Sequence, residues 1–190
     1  MKRVMFLISA FMMIIACQAQ SEHMKFMGIP FDTNINSFIS QLKVKRFTYY
    51  DTVNDVRIMK GKFARYNDCK IFVYPTPDNE VQLVAINFPE AEQWSILYNN
   101  YRKIKEMLIE KYGQPDYCEE KFNSYTQPTN DRSKFHEVMM ERCKYSTEFY
   151  TNLGMIKVFI SSISMRCYVA LIYGDKVNTL KSEESAIDDL

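Results

Sequence analysis

The sequence predicts an α+β fold: two helix-plus-antiparallel-sheet units, with the helices packed on sheet. Three observations predict it. Two segments place apolar residues at helical spacing. Several short runs rich in Val, Ile, Phe and Tyr have the length and composition of strands. The order helix, then three or four strands, occurs twice along the chain, which makes a tandem repeat a candidate organisation.

The chain opens with Lys2 and Arg3, followed by an unbroken apolar run over residues 4–16. That is the basic-then-apolar layout of a secretory signal. The run is shorter than the ~20 residues a membrane-spanning helix needs. Two processing schemes fit. "CQA" (residues 17–19) offers small residues for cleavage after Ala19, leaving Gln20 first; "IIAC" (residues 14–17) fits a permissive lipobox and would make Cys17 a lipidated first residue. Only residues 18–25 separate Cys17 from "FMGIPF", where structured sequence begins, and so short a tether favours cleavage after Ala19. The expected organisation is a signal peptide over 1–19 and a single α+β domain over 20–190, with half-repeats at 26–92 and 93–180. The expected location is exported, periplasmic or secreted, with an outer-membrane lipoprotein as the alternative.

The first helix is predicted in "NINSFISQLKVKRF": Ile35, Phe38, Ile39 and Leu42 share a face and Asn34 is a good N-cap. Strand-like runs follow at "VRIMKGKFARY", which Gly61 interrupts, at "KIFVY" and at "VQLVAINF". The last two are joined by a Pro-rich turn, as in a hairpin. "VQLVAINF" is apolar on both faces, which predicts a central strand. The second helix is the clearest element. In "WSILYNNYRKIKEMLIEKYGQP", Trp94, Leu97, Tyr101, Ile104 and Leu108 form a stripe, and Gly113 and Pro115 stop it. "DYCEEKFNSY" reads as an edge strand. "KFHEVMMER" fits either a helical turn or a strand. "KYSTEFYT", "MIKVFIS" and "CYVALIY" read as three strands, and "KSEESAIDDL" as a short helix or frayed tail.

Charge is nearly balanced, with a formal net of +1 that includes Lys2 and Arg3 of the leader. This gives no general attraction to nucleic acid. Export would place Cys69, Cys118, Cys143 and Cys167 in an oxidising compartment. The preferred bridge is Cys118–Cys143, closing a loop of about 25 residues for on the order of 3 kcal/mol in the chain-entropy account. Cys69–Cys167 is the remaining pair. Four reduced, buried thiols are the alternative.

No catalytic constellation is legible. The two histidines, His23 and His136, lack zinc-ligand spacing, and a His136–Cys143 nucleophilic pair is outweighed by a bridge or a surface histidine. The five isolated glycines build no phosphate loop. Glu119 and Glu120 point to opposite faces of a strand. Asp51 and Asp55 are too few for a cation loop. Thus no catalytic, cofactor or metal residue is assigned. The remaining signal is aromatic: Tyr49, Tyr50, Tyr66, Tyr74, Tyr145, Phe149 and Tyr150 lie on strand runs. Tyr joins apolar area to a polar tip, which suits contact with a protein partner. Tyr66, Tyr74 and Tyr150 are the candidate partner-binding residues. The expectation is a non-enzymatic binding module of the cell envelope, holding an unknown protein partner through an exposed aromatic sheet face. It would bind no nucleic acid, and would meet a membrane only if Cys17 is lipidated. A small enzyme acting on envelope or dietary polymers and a membrane-tethered structural lipoprotein are the alternatives.

"HMKFMGIPFDTNINSFISQLKVKRF", "FARYNDCKIFV", "YRKIKEMLIEKYGQP" and "ERCKY" together resemble an exported, functionally uncharacterised family of Bacteroides-type bacteria. The resemblance covers most of the chain after the leader and brings no catalytic motif. It implies an ordinary signal peptide. The chain departs from the family's pattern at Arg46, where Gly is usual before the Phe. At the level of fold it is also similar to the tandem helix-and-sheet repeats of β-lactamase-inhibitor proteins and of the small lipoprotein of the outer-membrane barrel-assembly machinery. Fold alone implies no function.

Overall fold

The computed structural model describes residues 23–188. The expected signal peptide and Cys17 lie outside these residues. The order is β1 (Lys25–Phe26), β2 (Ile29–Pro30), α1 (Ile35–Val44), β3 (Thr48–Val53), β4 (Val56–Phe63), β5 (Tyr66–Pro75), β6 (Val81–Asn87), α2 (Trp94–Tyr112), β7 (Tyr117–Phe122), α3 (Asp131–Met139), β8 (Cys143–Thr151), β9 (Gly154–Ile163), β10 (Arg166–Asp175) and α4 (Lys176–Asp188).

The two-stranded ribbon β1–β2 stands apart from one eight-stranded sheet, ordered β3-β4-β5-β6-β10-β9-β8-β7. Every pairing in it is antiparallel. Strands β3 to β6 form one meander and β7 to β10 another. They join where β6 pairs with β10, with Ile86 opposite Leu171 and Val84 opposite Tyr173. The strands therefore make one continuous sheet, and the two-sided apolar pattern of β6 is that of a central strand.

One face of the sheet carries the core. Met59, Ile71, Val73, Val84, Ile86, Leu171, Val169, Val158 and Phe149 are buried there with the α1 stripe (Ile35, Phe38, Ile39, Leu42) and the α2 stripe (Trp94, Leu97, Tyr101, Ile104, Leu108). Each such side chain contributes about 1.5–3 kcal/mol on full burial. Helix α2 packs over β9 and β10, and α3 packs on α2 and on β9. Asn34 caps α1 through the Asn36 backbone N–H, as its residue type predicts. Helix α2 has no cap from its own Gln93; instead Asp131, at the start of α3, accepts from the Ser95 backbone N–H at 2.8 Å.

The ambiguous "KFHEVMMER" is helical as far as Met139, because Asn130 and Ser133 form a capping box that starts α3. The predicted break at Gly61 is a bulge inside one strand, β4, rather than a boundary between two. The polar C-terminal segment is helix α4, packed where β6, β9 and β10 end. Its first turn is capped by Asp175, which accepts from the Asn178 backbone N–H at 2.9 Å.

Candidate functional site

Antiparallel register fixes which side chains share the face opposite the core. One row across the sheet runs Ile58, Phe72, Ala85, Ile172, Lys157, Glu148, Tyr117. The next runs Lys60, Lys70, Asn87, Ala170, Phe159, Ser146, Glu119. A third runs Tyr74, Leu83, Gly174, Met155, Tyr150. The two central strands present Leu83, Ala85 and Asn87 beside Gly174, Ile172 and Ala170, with Phe72, Tyr74, Phe159 and Tyr150 on the strands to either side.

Charges of both signs stand on this face: Lys60, Lys70 and Arg166 toward β4, β5 and the start of β10, and Glu119, Glu148, Lys121, Lys144 and Lys157 toward β7, β8 and β9. Near the start of β10, a recess of about 450 Å³ opens between Lys60, Asp68, Lys70, Glu90, Arg166 and Tyr168. Lys60 is 3.5 Å from Asp68, Arg166 is 3.7 Å from Glu90, and Lys70 Nζ stands 5.9 Å from the Tyr50 ring centroid. These long, exposed pairs hold little net energy and leave the cations free to turn toward an incoming group. Tyr168 forms the wall: burial raises its phenol above the usual range, partly opposed by hydrogen bonds with Ser161 and Asn87.

On β8, Tyr150 is 58% exposed. Its hydroxyl donates to Glu148 at 2.7 Å, and its backbone N–H donates to Asp116 at 2.6 Å. The bond to Glu148 raises the Tyr150 phenol, while the Lys157 ammonium, 2.8 Å from Glu148, lowers that carboxyl. The hydroxyl is thereby tied to Lys157 through Glu148.

The three candidate tyrosines divide between the two faces. Tyr74 (38% exposed) and Tyr150 lie on the open face. Tyr66 lies on the helix side, with its hydroxyl donating to Asn100 of α2 at 3.3 Å and its ring edge-on to Phe88. The cause is local. Asp68 takes a left-handed conformation (φ 57) and shifts the alternation of β5, so Tyr66 joins the side of Cys69, Ile71 and Val73. Tyr145 and Phe149 also belong to the helix side, Tyr145 packing against Trp94, Tyr98, Tyr101 and Phe122. Tyr49 and Tyr50 are exposed on edge strand β3. Sequence reasoning missed Phe72, Phe159, Tyr168 and the cations Lys60, Lys70 and Arg166. The period-2 alternation of β5 carried the signal, since it puts Phe72 on the face of Tyr74.

The expected disulfides are not present: among the described residues, Cys69, Cys118, Cys143 and Cys167 are all free. Cys118 is opposite Thr147 and Cys143 opposite Phe122. The two stand four strand positions apart, about 13 Å, beyond the ~7 Å between Cα atoms that a disulfide spans. Cys69 and Cys167 are on β5 and β10 with β6 between them, about 9–10 Å apart at closest. Burial pushes the thiols of Cys69 and Cys167 up to about 11 and that of Cys143 up to about 12.

His23 contacts the buried Asp175, and His136 is half-exposed beside Glu137. Among the described residues, no group of three His, Cys, Asp or Glu side chains could hold a metal ion, and no helix is long and apolar enough to cross a membrane. Comparison with protein-family models, with curated proteins and with solved structures finds no match for the chain.

Proposed function

We propose that this chain is an exported, non-enzymatic binding module that holds a protein partner on the open face of its sheet. The observation that carries the proposal is the composition of that face: Phe72, Tyr74, Phe159, Tyr168 and Tyr150 share it, opposite the helices. Aromatic anchors of this kind are the usual makings of a protein interface. Each half brings a helix and then four strands of the main sheet, with α3 inserted between β7 and β8 in the second; this order supports a further reading of residues 26–92 and 93–180 as duplicated units. The resemblance to helix-and-sheet repeat proteins is in keeping with that reading at the level of fold.

The test is a quantitative capture from envelope extract, with bound proteins identified by mass spectrometry. Wild type, the Tyr74→Ala/Tyr150→Ala double variant and Met107→Ala are compared, the last lying on the exposed side of α2. The double variant should lose the partner by about tenfold or more, as truncated anchors do, while Met107→Ala retains it. An identical set of bound proteins from all three would remove the open face from consideration. Intact mass of the exported protein, starting at Gln20 or at a lipidated Cys17, decides the processing scheme.

A further inference from the structure

We propose that the recess at the start of β10 binds a small organic acid: one carboxylate carried on a compact aromatic body. The recess measures about 450 Å³, within the ~300–1,000 Å³ of small-molecule sites. Strand register builds it. Lys60, Lys70 and Asn87 stand side by side across β4, β5 and β6. Phe72, two residues along β5 from Lys70, and Tyr168 of β10 supply aromatic walls. The turn between β9 and β10 holds Ser164 and Met165 in left-handed conformations (φ 51 and 65) and brings Ile163 and Arg166 together at the rim.

The charges lining this recess do not cancel. Lys60, Lys70 and Arg166 face only Asp68 and Glu90. Asp68 stands 3.5 Å from Lys60, and Glu90 3.7 Å from Arg166. Among the described residues Lys70 has no acidic partner. Its ammonium stands 5.9 Å from the Tyr50 ring centroid, at the outer limit of a cation–π contact. Lys70 is also directly opposite Lys60, and like charges opposed across a strand pair destabilise it. The half-buried Lys70 therefore carries the unmatched positive charge of the recess. A monoanion balances that charge. A dianion would bring a second negative charge, which Asp68 and Glu90 repel.

The ligand carboxylate takes charge-assisted hydrogen bonds from the Lys70 and Lys60 ammonium groups, with the Asn87 amide beside them. Its ring covers Phe72 and Tyr168, whose aromatic surface gives the body of the ligand its share of the affinity. Asp68 competes with the ligand for Lys60, so the lysine and the aspartate act on affinity in opposite directions. This site is separate from the protein-partner reading. Tyr74 and Tyr150, which test that reading, do not line the recess, so either proposal can fail alone.

The experiment titrates the full chain, isotope-labelled, with 2-naphthoate at neutral pH. Amide resonances in nuclear magnetic resonance spectra give both the place and the affinity. Naphthalene-2-carboxamide is the uncharged counterpart, and acetate is the carboxylate without a body. A saturable 2-naphthoate site should appear, with shifts centred on Lys70, Asn87 and Tyr168. The carboxamide and acetate should each bind about tenfold more weakly or worse. Lys70→Met should weaken 2-naphthoate by about tenfold, and Lys103→Met, on the exposed side of α2, should leave it unchanged. Asp68→Asn frees Lys60, and Asn tolerates the left-handed conformation of that position (φ 57); it should tighten binding by about threefold or more. Absent or unsaturable binding overturns the proposal, as do shifts confined to another part of the chain. A carboxamide or acetate as tight as 2-naphthoate overturns it too, and so does a folded Lys70→Met with unchanged affinity. Should Lys70→Met lose its melting transition, Asp68→Asn decides: tighter binding supports the proposal, and unchanged or weaker binding overturns it.

Discussion

The Phe47 ring lies directly over Gly61: a Cβ built on Gly61 would come within 2.4 Å of Phe47 Cδ1. Phe47 is buried and follows α1, whereas Gly61 is in β4 at the edge of a bulge. The glycine is therefore a packing requirement, since any side chain there displaces a core aromatic. Gly61→Ala should destabilise the chain by about 1–3 kcal/mol, the usual cost of overpacking. Urea denaturation checks this. Phe47→Leu in the same chain should recover part of the loss by vacating the space; a neutral Gly61→Ala would contradict the contact.

Arg46 precedes that ring and holds a left-handed conformation (φ 70). Its backbone N–H donates to Lys43 O at 2.9 Å, and that of Phe47 to Leu42 O at 3.1 Å. These are the two bonds of a Schellman stop. The departure from the glycine usual in the resembled family thus leaves the helix stop in place but puts a Cβ where it is strained. Arg46→Gly should stabilise by about 0.5–1 kcal/mol, the relief of strain exceeding the added freedom of the unfolded chain. A rise in the melting temperature is the readout.

Glu137 of α3 ties three segments together. It accepts from Arg142 Nε at 2.7 Å and Nη2 at 2.9 Å, and from the Ser124 hydroxyl. The bonds from Arg142, then that from Ser124, lower its carboxyl to about 2. A carboxyl with a depressed folded-state pKa contributes stability above its unfolded value and loses it as pH falls through the folded value. Wild type should therefore exceed Glu137→Gln in stability at neutral pH, and the gap should close between about pH 4.5 and pH 2. Paired denaturation curves at several pH values measure it; a gap that persists at pH 2 would assign the effect to packing.

Helices α1 and α2 were legible because their buried stripes repeat at 3 and 4 residues and Asn34 and Gly113 mark ends. What was not legible is what distant segments do to one another. Nothing in β6 or β10 alone says that Ile86 will face Leu171, since both strands read as apolar runs. The cysteine pairing failed for the same reason. Proximity in sequence to an edge strand does not give register, and register puts Thr147, not Cys143, opposite Cys118. Tyr66 and Tyr74 look equivalent on one strand until a single left-handed residue, Asp68, changes the face of one of them. Which side chains share the open face, its cations included, emerges only from eight strands in register.

Asp175 is the last such long-range feature, with consequences at both ends of the described chain. Its carboxylate is fully buried. It accepts from the Met24 backbone N–H at 2.6 Å and from the Asn178 backbone N–H at 2.9 Å, and contacts His23 Nδ1 at 3.1 Å. Asn178 in turn donates to Phe31 O and Val81 O through Nδ2. One carboxylate thus fastens the segment around β1 to the start of α4. Removing it leaves buried N–H donors unpaired, which costs about 1–3 kcal/mol for each such group. Asp175→Ala should therefore destabilise by about 2–4 kcal/mol and loosen both segments together. Limited trypsin digestion reads the loosening, because Lys25 lies in the fastened segment and is exposed. Early cleavage at Lys25 is expected in Asp175→Ala and not in wild type. Asp175→Asn keeps one acceptor oxygen and should fall between them. Equal cleavage rates in all three would show that the N-terminal ribbon is held by its apolar contacts, through Phe26 and Ile29, rather than by the carboxylate.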